Sequence, residues 1–219
     1  MHEAACKNTL RVMGSRQDVK LFQDWASTPD SPISLAKALP VPEDLLKLDP
    51  NLLTPTVWEK YGALDPMTWK DDNWGTYVDF DQVQIKSQVE FDKTETQELS
   101  EMMKNKHVVE EAVAPEIVIV YSYLTPCVPP LHAYRNFSEA HPNLMFHASF
   151  DVDTHNEHGH ETSGFLLVKA GKMLKRWFNP ISFNSLKIHM GVSDDSIESD
   201  EFNTLMKDNK KIQGEEDDD

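Results

Sequence analysis

The most hydrophobic run of the chain, Glu116-Ile-Val-Ile-Val-Tyr-Ser-Tyr-Leu124, constrains the fold more than any other feature. It is rich in β-branched and aromatic side chains, which favour strands, and it is far shorter than the ~20 apolar residues of a membrane-spanning helix. A continuous apolar run predicts a central strand that is buried on both faces. The proline-rich segment 125–130 ends this strand because proline lacks the backbone N–H that a sheet needs.

Further strands are predicted where apolar and polar residues alternate, since successive side chains of a strand point to opposite faces. In residues 144–152 the alternation places Leu144, Phe146, Ala148, Phe150 and Val152 on one face. The other predicted strands are 8–14, 83–91 (a strand or a hairpin), 163–168 and 173–178, the last two joined by a turn at 170–172.

Helical spacing of apolar residues predicts two long helices. The first follows Ser15, a candidate N-cap, and ends before the turn-rich segment 27–32, and the second covers residues 131–141. Residues 94–113 are predicted to form a surface helix. Residues 33–39 are predicted to form a second, short apolar strand. The prolines that follow are expected to end it, because proline removes a donor from the hydrogen-bond ladder of a sheet.

Residues 43–76 are predicted to be an insertion with short helices, and this segment contains Trp58, Trp69 and Trp74. Tryptophan is enriched at the centres of protein interfaces, so these three residues are candidate partner-binding residues. The simpler alternative is that they pack the insertion onto the core.

The charge of the chain is strongly acidic, with 37 acidic and 21 basic residues and a formal charge of −16. Residues 194–219 contain eleven acidic residues and three lysines. Such a segment repels itself and has few apolar groups to bury, so it is predicted to be a disordered acidic tail. The two cysteines, Cys6 and Cys127, are too few for a disulfide framework, and no signal peptide is recognised. These features lead us to expect a soluble protein in a reducing cytoplasm.

Several motifs resemble the YubB-like ferredoxin-like family, an uncharacterised group of phage and plasmid proteins. Cys6-Lys-Asn-Thr-Leu-Arg-Val-Met-Gly14 resembles the first strand of that family, and residues 37–43 resemble its second strand. Asn73-Trp-Gly-Thr76 is similar to its most recognisable motif. Residues 121–130 resemble its aromatic strand before Pro-Pro, although the usual Trp-Ser is absent, and Gly164-Phe165 matches its last hairpin. The resemblance implies a ferredoxin-like fold and a mobile-element origin, and it brings no catalytic residues.

The order of strands and helices likewise favours an α+β protein, a ferredoxin-like split βαβ sandwich with a helical insertion. The predicted domain covers residues 6–178, with insertions at 43–76 and 94–113, and the predicted acidic tail covers residues 194–219.

A cluster of carboxylates and imidazoles occupies residues 151–160. Such side chains are ligands for zinc and other transition metals, so a metal site is one hypothesis for this segment. The alternative is a solvated loop, since structural zinc sites favour cysteine and none lies nearby; no cofactor is predicted. The candidate metal ligands are Asp151, Asp153, His155, His158 and His160.

Two His-x-Ser/Thr motifs, His147-Ala-Ser149 and His160-Glu-Thr162, are typical of two-histidine phosphoesterases, in which each imidazole exchanges a proton. The four residues are therefore candidate catalytic residues. Against this hypothesis, the two histidines lie only 13 residues apart across one predicted hairpin. His147 is expected on the open face of the sheet.

The sequence favours a non-enzymatic accessory protein of a phage or another mobile element, which binds a host or viral macromolecule. The expected partner is a protein with a basic surface, and inhibition of a host defence or nucleic-acid enzyme by negative-charge mimicry is one version. The alternative is a metal-dependent or two-histidine phosphoesterase that uses the 147–162 hairpin. Direct nucleic-acid binding is not expected, because the chain is acidic and no aromatic-basic motif is recognised on the strands. The one basic cluster comprises Lys169, Lys172, Lys175 and Arg176, beside Trp177 and Phe178.

Overall fold

The computed structural model describes residues 5–47, 55–98, 115–126, 128–152 and 162–178. Along the chain the elements are β1 (Ala5–Gly14), α1 (Arg16–Ala26), α2 (Leu35–Ala38), α3 (Glu43–Leu46), α4 (Pro55–Tyr61), α5 (Pro66–Trp74), β2 (Asp81–Glu90), β3 (Ile117–Pro126), α6 (Leu131–Ala140), β4 (Met145–Val152), β5 (Thr162–Lys169) and β6 (Lys172–Phe178). Residues 93–98 are also helical, whereas most of the helix predicted for 94–113 lies outside the described residues, as do Cys127 and residues 194–219.

The strands form a six-stranded antiparallel sheet in the order β2-β3-β1-β4-β5-β6. The first strand of the chain lies inside the sheet, where Leu10 pairs with Tyr121 of β3 on one side and with Ala148 of β4 on the other. The protein therefore has an α+β architecture. Within the described ranges, no helix combines the length and the apolar composition that a membrane crossing needs.

Helices α1 and α6 pack on one face of the sheet and form the core there. The predicted N-cap of α1 is confirmed, because the Ser15 hydroxyl accepts a hydrogen bond from the Asp18 backbone N–H at 3.1 Å. Phe22 of α1 is fully buried, and its ring lies 5.4 Å from the ring of Phe146 and 5.8 Å from that of Phe137. Edge-to-face aromatic contacts of this kind stabilise a core beyond the area that they bury.

The prediction that β3 is buried on both faces is wrong. Ile117, Ile119 and Tyr121 are buried, whereas the alternating residues Val118 and Val120 keep part of their surface exposed. An antiparallel sheet covered on one face leaves the other face open to solvent. The run is continuously apolar because β-branched valines also occupy positions on the exposed side.

The strand expected at residues 33–39 is also wrong, since Leu35–Ala38 form the helix α2. The Asp79 carboxylate accepts hydrogen bonds from the Leu35 backbone N–H and from the Ser34 hydroxyl, both at 2.6 Å. Asp79, 44 residues beyond Leu35 in the chain, thus provides an acceptor for the first backbone N–H groups of α2.

Strand β2 is irregular in its pairing, although its apolar residues alternate regularly in the sequence. Val83, Ile85 and Val89 are all odd-numbered. The register of β2 against β3 shifts between Ile85 and Ser87, so Ile85 pairs with the buried Tyr121, whereas Val89 pairs with the partly exposed Val118. An extra residue in one strand produces such a β-bulge and reverses which side chains face the core. The strand itself is confirmed, as are the predicted strands that became β1, β4, β5 and β6.

Candidate ligand-binding face

The face of the sheet opposite α1 and α6 contains most of the polar side chains of the strands. Even-numbered residues of β1 and β4 contribute to the core, so the odd-numbered residues project from the opposite face. Register then places residues of β5 and β6 on the same side. We call this side the open face and define it by ten residues: Lys7, Arg11, His147, Ser149, Asp151, Phe165, Lys169, Lys172, Lys175 and Trp177.

His147 is held in one orientation by Arg11. The two residues are paired in the register of β1 and β4, and the Arg11 Nη1 atom lies 3.2 Å from His147 Nδ1. A guanidinium group only donates hydrogen bonds, so Nδ1 is the acceptor and the imidazole proton resides on Nε2. Burial, and then the positive charge of Arg11, lower the pKa of His147 below its usual value. His147 is therefore a neutral hydrogen-bond donor near pH 7.

Three rings lie side by side on the neighbouring strands β4, β5 and β6. The Phe165 ring centroid is 5.7 Å from that of His147 and 6.3 Å from that of Trp177, and the Phe165 and Trp177 planes differ by 20°. All three side chains are only partly buried. The strip therefore presents ring surface to which a flat apolar group can bind.

The open face is positively charged, in contrast to the chain as a whole. Its cations are Lys7, Arg11, Lys169, Lys172 and Lys175, and its acidic residue is Asp151. A second carboxylate, Asp81 at the start of the edge strand β2, lies on the same side by its pairing with Leu124, so the cations remain in excess. The described residues together contain 18 acidic and 15 basic side chains, so most of the formal charge of −16 comes from residues outside them. The acidity of the chain therefore does not describe this surface.

Sequence reasoning found only part of this combination: it identified the basic cluster beside Trp177, but it missed Phe165 and the pairing of Arg11 with His147. Phe165 and Trp177 are twelve positions apart, but the β5–β6 hairpin pairs them directly. The two-residue turn at Ala170-Gly171 fixes the pairing of Lys169 with Lys172, but a register shift beyond Val168 moves the pairing by one residue. The turn alone would therefore have placed Arg176 opposite Phe165, so the pairing with Trp177 could not be predicted from the sequence.

The candidate metal ligands are only partly within the described residues. Asp151 is exposed near the end of β4, where it pairs with Lys7 and Ser163, whereas Asp153, His155, His158 and His160 lie outside the described residues. In the described part of the chain, no group of three or more His, Cys, Asp or Glu residues is placed to hold a metal ion. Metal binding by residues 151–160 stays a prediction.

The candidate phosphoesterase residues are likewise only partly within the described residues. His147 and Ser149 both lie on the open face, as predicted for His147. Thr162 pairs with Val152 at the start of β5, and His160 lies outside the described residues. The structure thus brings one His–Ser pair to the face, with the Nδ1 atom of its imidazole already bound to Arg11.

The three candidate tryptophans do not form one surface. Trp74 is 1% exposed and its indole Nε1 donates to the Leu39 carbonyl at 2.9 Å, so the partner-binding assignment is wrong for this residue. Trp69 packs partly buried against the Trp74 ring, with centroids 6.3 Å apart. Trp58 is 53% exposed. Trp74 and Trp69 pack onto the core, as the alternative interpretation predicts.

The Cys6 and Asn8 motif has a structural role. Tyr123 donates to the Tyr134 hydroxyl at 2.7 Å, Tyr134 donates to Asn8 Oδ1 at 3.3 Å, and Asn8 Nδ2 donates to Thr125 Oγ1 at 2.9 Å. This buried network joins β1, β3 and α6, and each of its donors has an acceptor. Burial raises the pKa of the Cys6 thiol to about 12, so Cys6 is not a thiolate nucleophile at neutral pH.

The Asn73-Trp-Gly-Thr76 motif is likewise structural. Gly75 ends α5 in the left-handed conformation, with φ of 75°, and a Cβ atom there would lie 3.1 Å from the Leu131 backbone nitrogen. The Asn136 side chain donates to the Asn73 carbonyl at 2.8 Å. The motif therefore fixes α5 against α6 on the helix-covered side of the sheet.

Comparison of the chain with protein-family models, curated proteins and solved structures finds no match. The assignment of function depends on the geometry of the open face.

Proposed function

We propose that this protein is a non-enzymatic binding protein that recognises a macromolecule through its open face. The observation that carries the proposal is the combination of partly exposed rings and cations on one side of the sheet. The other motifs, built around Asn8 and Gly75, have structural roles on the opposite side. Aromatic and arginine side chains are the groups enriched at recognition surfaces.

The proposed class is the ferredoxin-like fold. The order β2-β3-β1-β4, with α1 after β1 and α6 after β3, supports this assignment because it is the order of a split βαβ sandwich. Strands β5 and β6 then extend the sheet beyond β4. The proposal extends to the accessory role for a phage or plasmid in the host cytoplasm that the resemblance of residues 6–14 and 73–76 to the YubB-like family implies.

The partner in this proposal is a host or viral macromolecule. The version based on negative-charge mimicry depends on residues 194–219, which lie outside the described residues, and predicts a partner with a basic surface. The cations of the open face instead favour an anionic partner. The enzymatic alternative depends on His160, which lies outside the described residues, and stays a prediction.

A capture experiment with matched charge variants tests the proposal. The full chain is immobilised in lysate of plasmid-bearing or phage-infected bacteria, with and without nuclease treatment. The test variant is Lys169→Gln/Lys175→Gln on the open face. The control is Lys20→Gln/Arg135→Gln, which removes the same charge from exposed positions of α1 and α6.

We expect the control to retain a partner that the open-face variant loses. Equal retention by both variants would show that binding does not use the open face and would contradict the proposal. The charge variant, and not a salt series, separates the two charge arrangements. Salt screens exposed charges in either case, whereas only binding of an anionic partner depends on Lys169 and Lys175.

A further inference from the structure

We infer that the open face binds single-stranded nucleic acid, an inference that rests on the proposed function and names its ligand. Two rows of side chains, defined by the strand register, carry the argument. One row contains Arg11, His147 and Lys175, and the neighbouring row contains Ser149, Phe165 and Trp177.

The row of rings fits unpaired bases. Phe165 and Trp177 are nearly parallel, and their partial exposure leaves ring surface available on two adjacent strands. Every nucleobase has an apolar face that stacks on an aromatic side chain, and stacking of this kind is tolerant of sequence. In a duplex these base faces are covered by neighbouring bases, so the rings favour a single strand.

The two cations of the other row fit phosphates of the same strand. Arg11 and Lys175 lie at the two ends of that row, with the neutral His147 and the buried Leu167 between them. The row is two residues, or about 7 Å, along the strands from the row of rings. A single strand likewise has its phosphates along one side and its bases along the other. Lys169, farther along β5, extends the positive charge in the same direction.

The acidity of the chain does not oppose this ligand. Interactions between exposed charges are largely screened beyond about 8 Å at physiological salt, so the local charge of the open face determines contact with phosphate. That charge is positive, whereas the described residues as a whole are close to balanced. An acidic peptide would satisfy the cations but would leave the rings without a stacking partner.

Titration of the full chain into a labelled oligothymidine of about 16 nucleotides, followed by fluorescence anisotropy, tests the inference. We expect binding that weakens between about 50 and 200 mM salt. We expect Trp177→Ala to weaken binding about 5- to 150-fold, the range for loss of one stacked base, and Trp177→Phe to keep most of the affinity because it retains a ring.

The charge variants provide the second arm. Lys169→Gln/Lys175→Gln removes two phosphate contacts and should lower the slope of log K against log salt by up to about 1.4. The control Lys20→Gln/Arg135→Gln has the same net charge and should leave the slope unchanged.

Three results would overturn the inference. The first is the absence of binding at low salt both by the wild-type chain and by a variant in which the acidic residues 215–219 are replaced by their amides, which lowers the negative charge of the chain. The second is equal or tighter binding of a duplex of the same length. The third is binding that is unaffected by Trp177→Ala. If the oligonucleotide fails but capture from nuclease-treated lysate still requires Lys169 and Lys175, the proposed function stands and only the ligand is wrong.

Discussion

The two faces of the sheet use the same strands for different purposes. On the helix-covered face, Leu10, Tyr121 and Phe146 are fully buried, and polar groups such as Asn8 are hydrogen-bonded inside the protein. On the open face, one residue further along, Arg11 and His147 are only partly buried. Packing against the helices therefore determines every second residue of these strands, whereas the alternating residues on the open face are available for recognition.

The largest expected effect is on the free energy of unfolding, and it distinguishes a buried phenylalanine from one on the open face. Phe22→Ala removes a fully buried ring that contacts Tyr121, Phe137 and Phe146, and should lower the free energy of unfolding by about 3–5 kcal/mol. Phe165→Ala on the open face should cost clearly less, because that ring is already partly in water. Urea denaturation of both variants measures the difference, and equal losses would show that the open face is part of the core.

The next effect concerns the buried polar network. Asn8→Ala leaves the Tyr134 O–H without its acceptor and removes the amide that donates to Thr125 Oγ1, and should cost about 2–3 kcal/mol. Ser149→Ala, on the open face, serves as the matched control and should cost less than about 0.5 kcal/mol, as exposed substitutions usually do. A loss from Asn8→Ala as small as that of the control would mean that water replaces the missing amide.

A smaller effect separates backbone strain from close packing at two glycines. Gly62 and Gly75 both have positive φ, at 67° and 75°, but a Cβ atom would have no neighbour within 4 Å at Gly62. Gly62→Ala should therefore cost about 1–2 kcal/mol from strain alone. Gly75→Ala should cost about 1 kcal/mol more, since its Cβ also meets the first turn of α6. Thermal unfolding of both variants compares the costs, and equal costs would exclude a packing role for Gly75.

The smallest effect is a pH dependence from His147. Its pKa is lowered in the folded state, by burial and then by Arg11, so the neutral form stabilises the fold. That contribution is fully present above the usual histidine value of about 6.5 and is lost as the pH falls from there through the folded pKa. Wild-type protein should therefore lose more stability than His147→Gln between about pH 7 and 5. Parallel profiles for the two proteins would mean that His147 titrates normally.

Much of the sheet could be predicted from the sequence, because alternation and turn residues are local signals. The buried set of β4, from Phe146 to Val152, followed directly from the period of two. The N-cap at Ser15 was equally local. Helix α2 also has a local N-cap, because the Ser34 hydroxyl accepts from the Lys37 backbone N–H at 3.2 Å. Its second capping group, the Asp79 carboxylate, is 44 residues from Leu35 and could not be predicted from local signals.

The candidate site shows the same division. His147 was predicted to lie on the open face because it alternates with the apolar residues Phe146 and Ala148 along a strand. The contacts around it were not identified, since Arg11 reaches His147 from 136 positions away and Trp177 meets Phe165 through hairpin register. Contacts of this length depend on strand order, which no local pattern contains.

By itself, the sequence determined which segments form strands and long helices, since these depend on interactions between residues a few positions apart. Only the tertiary structure decided which face of β3 is covered, that Trp74 is buried, and that rings and cations gather on one surface. The physical reason is that burial and local charge are properties of neighbours in space. Six strands must be ordered and paired before those neighbours exist.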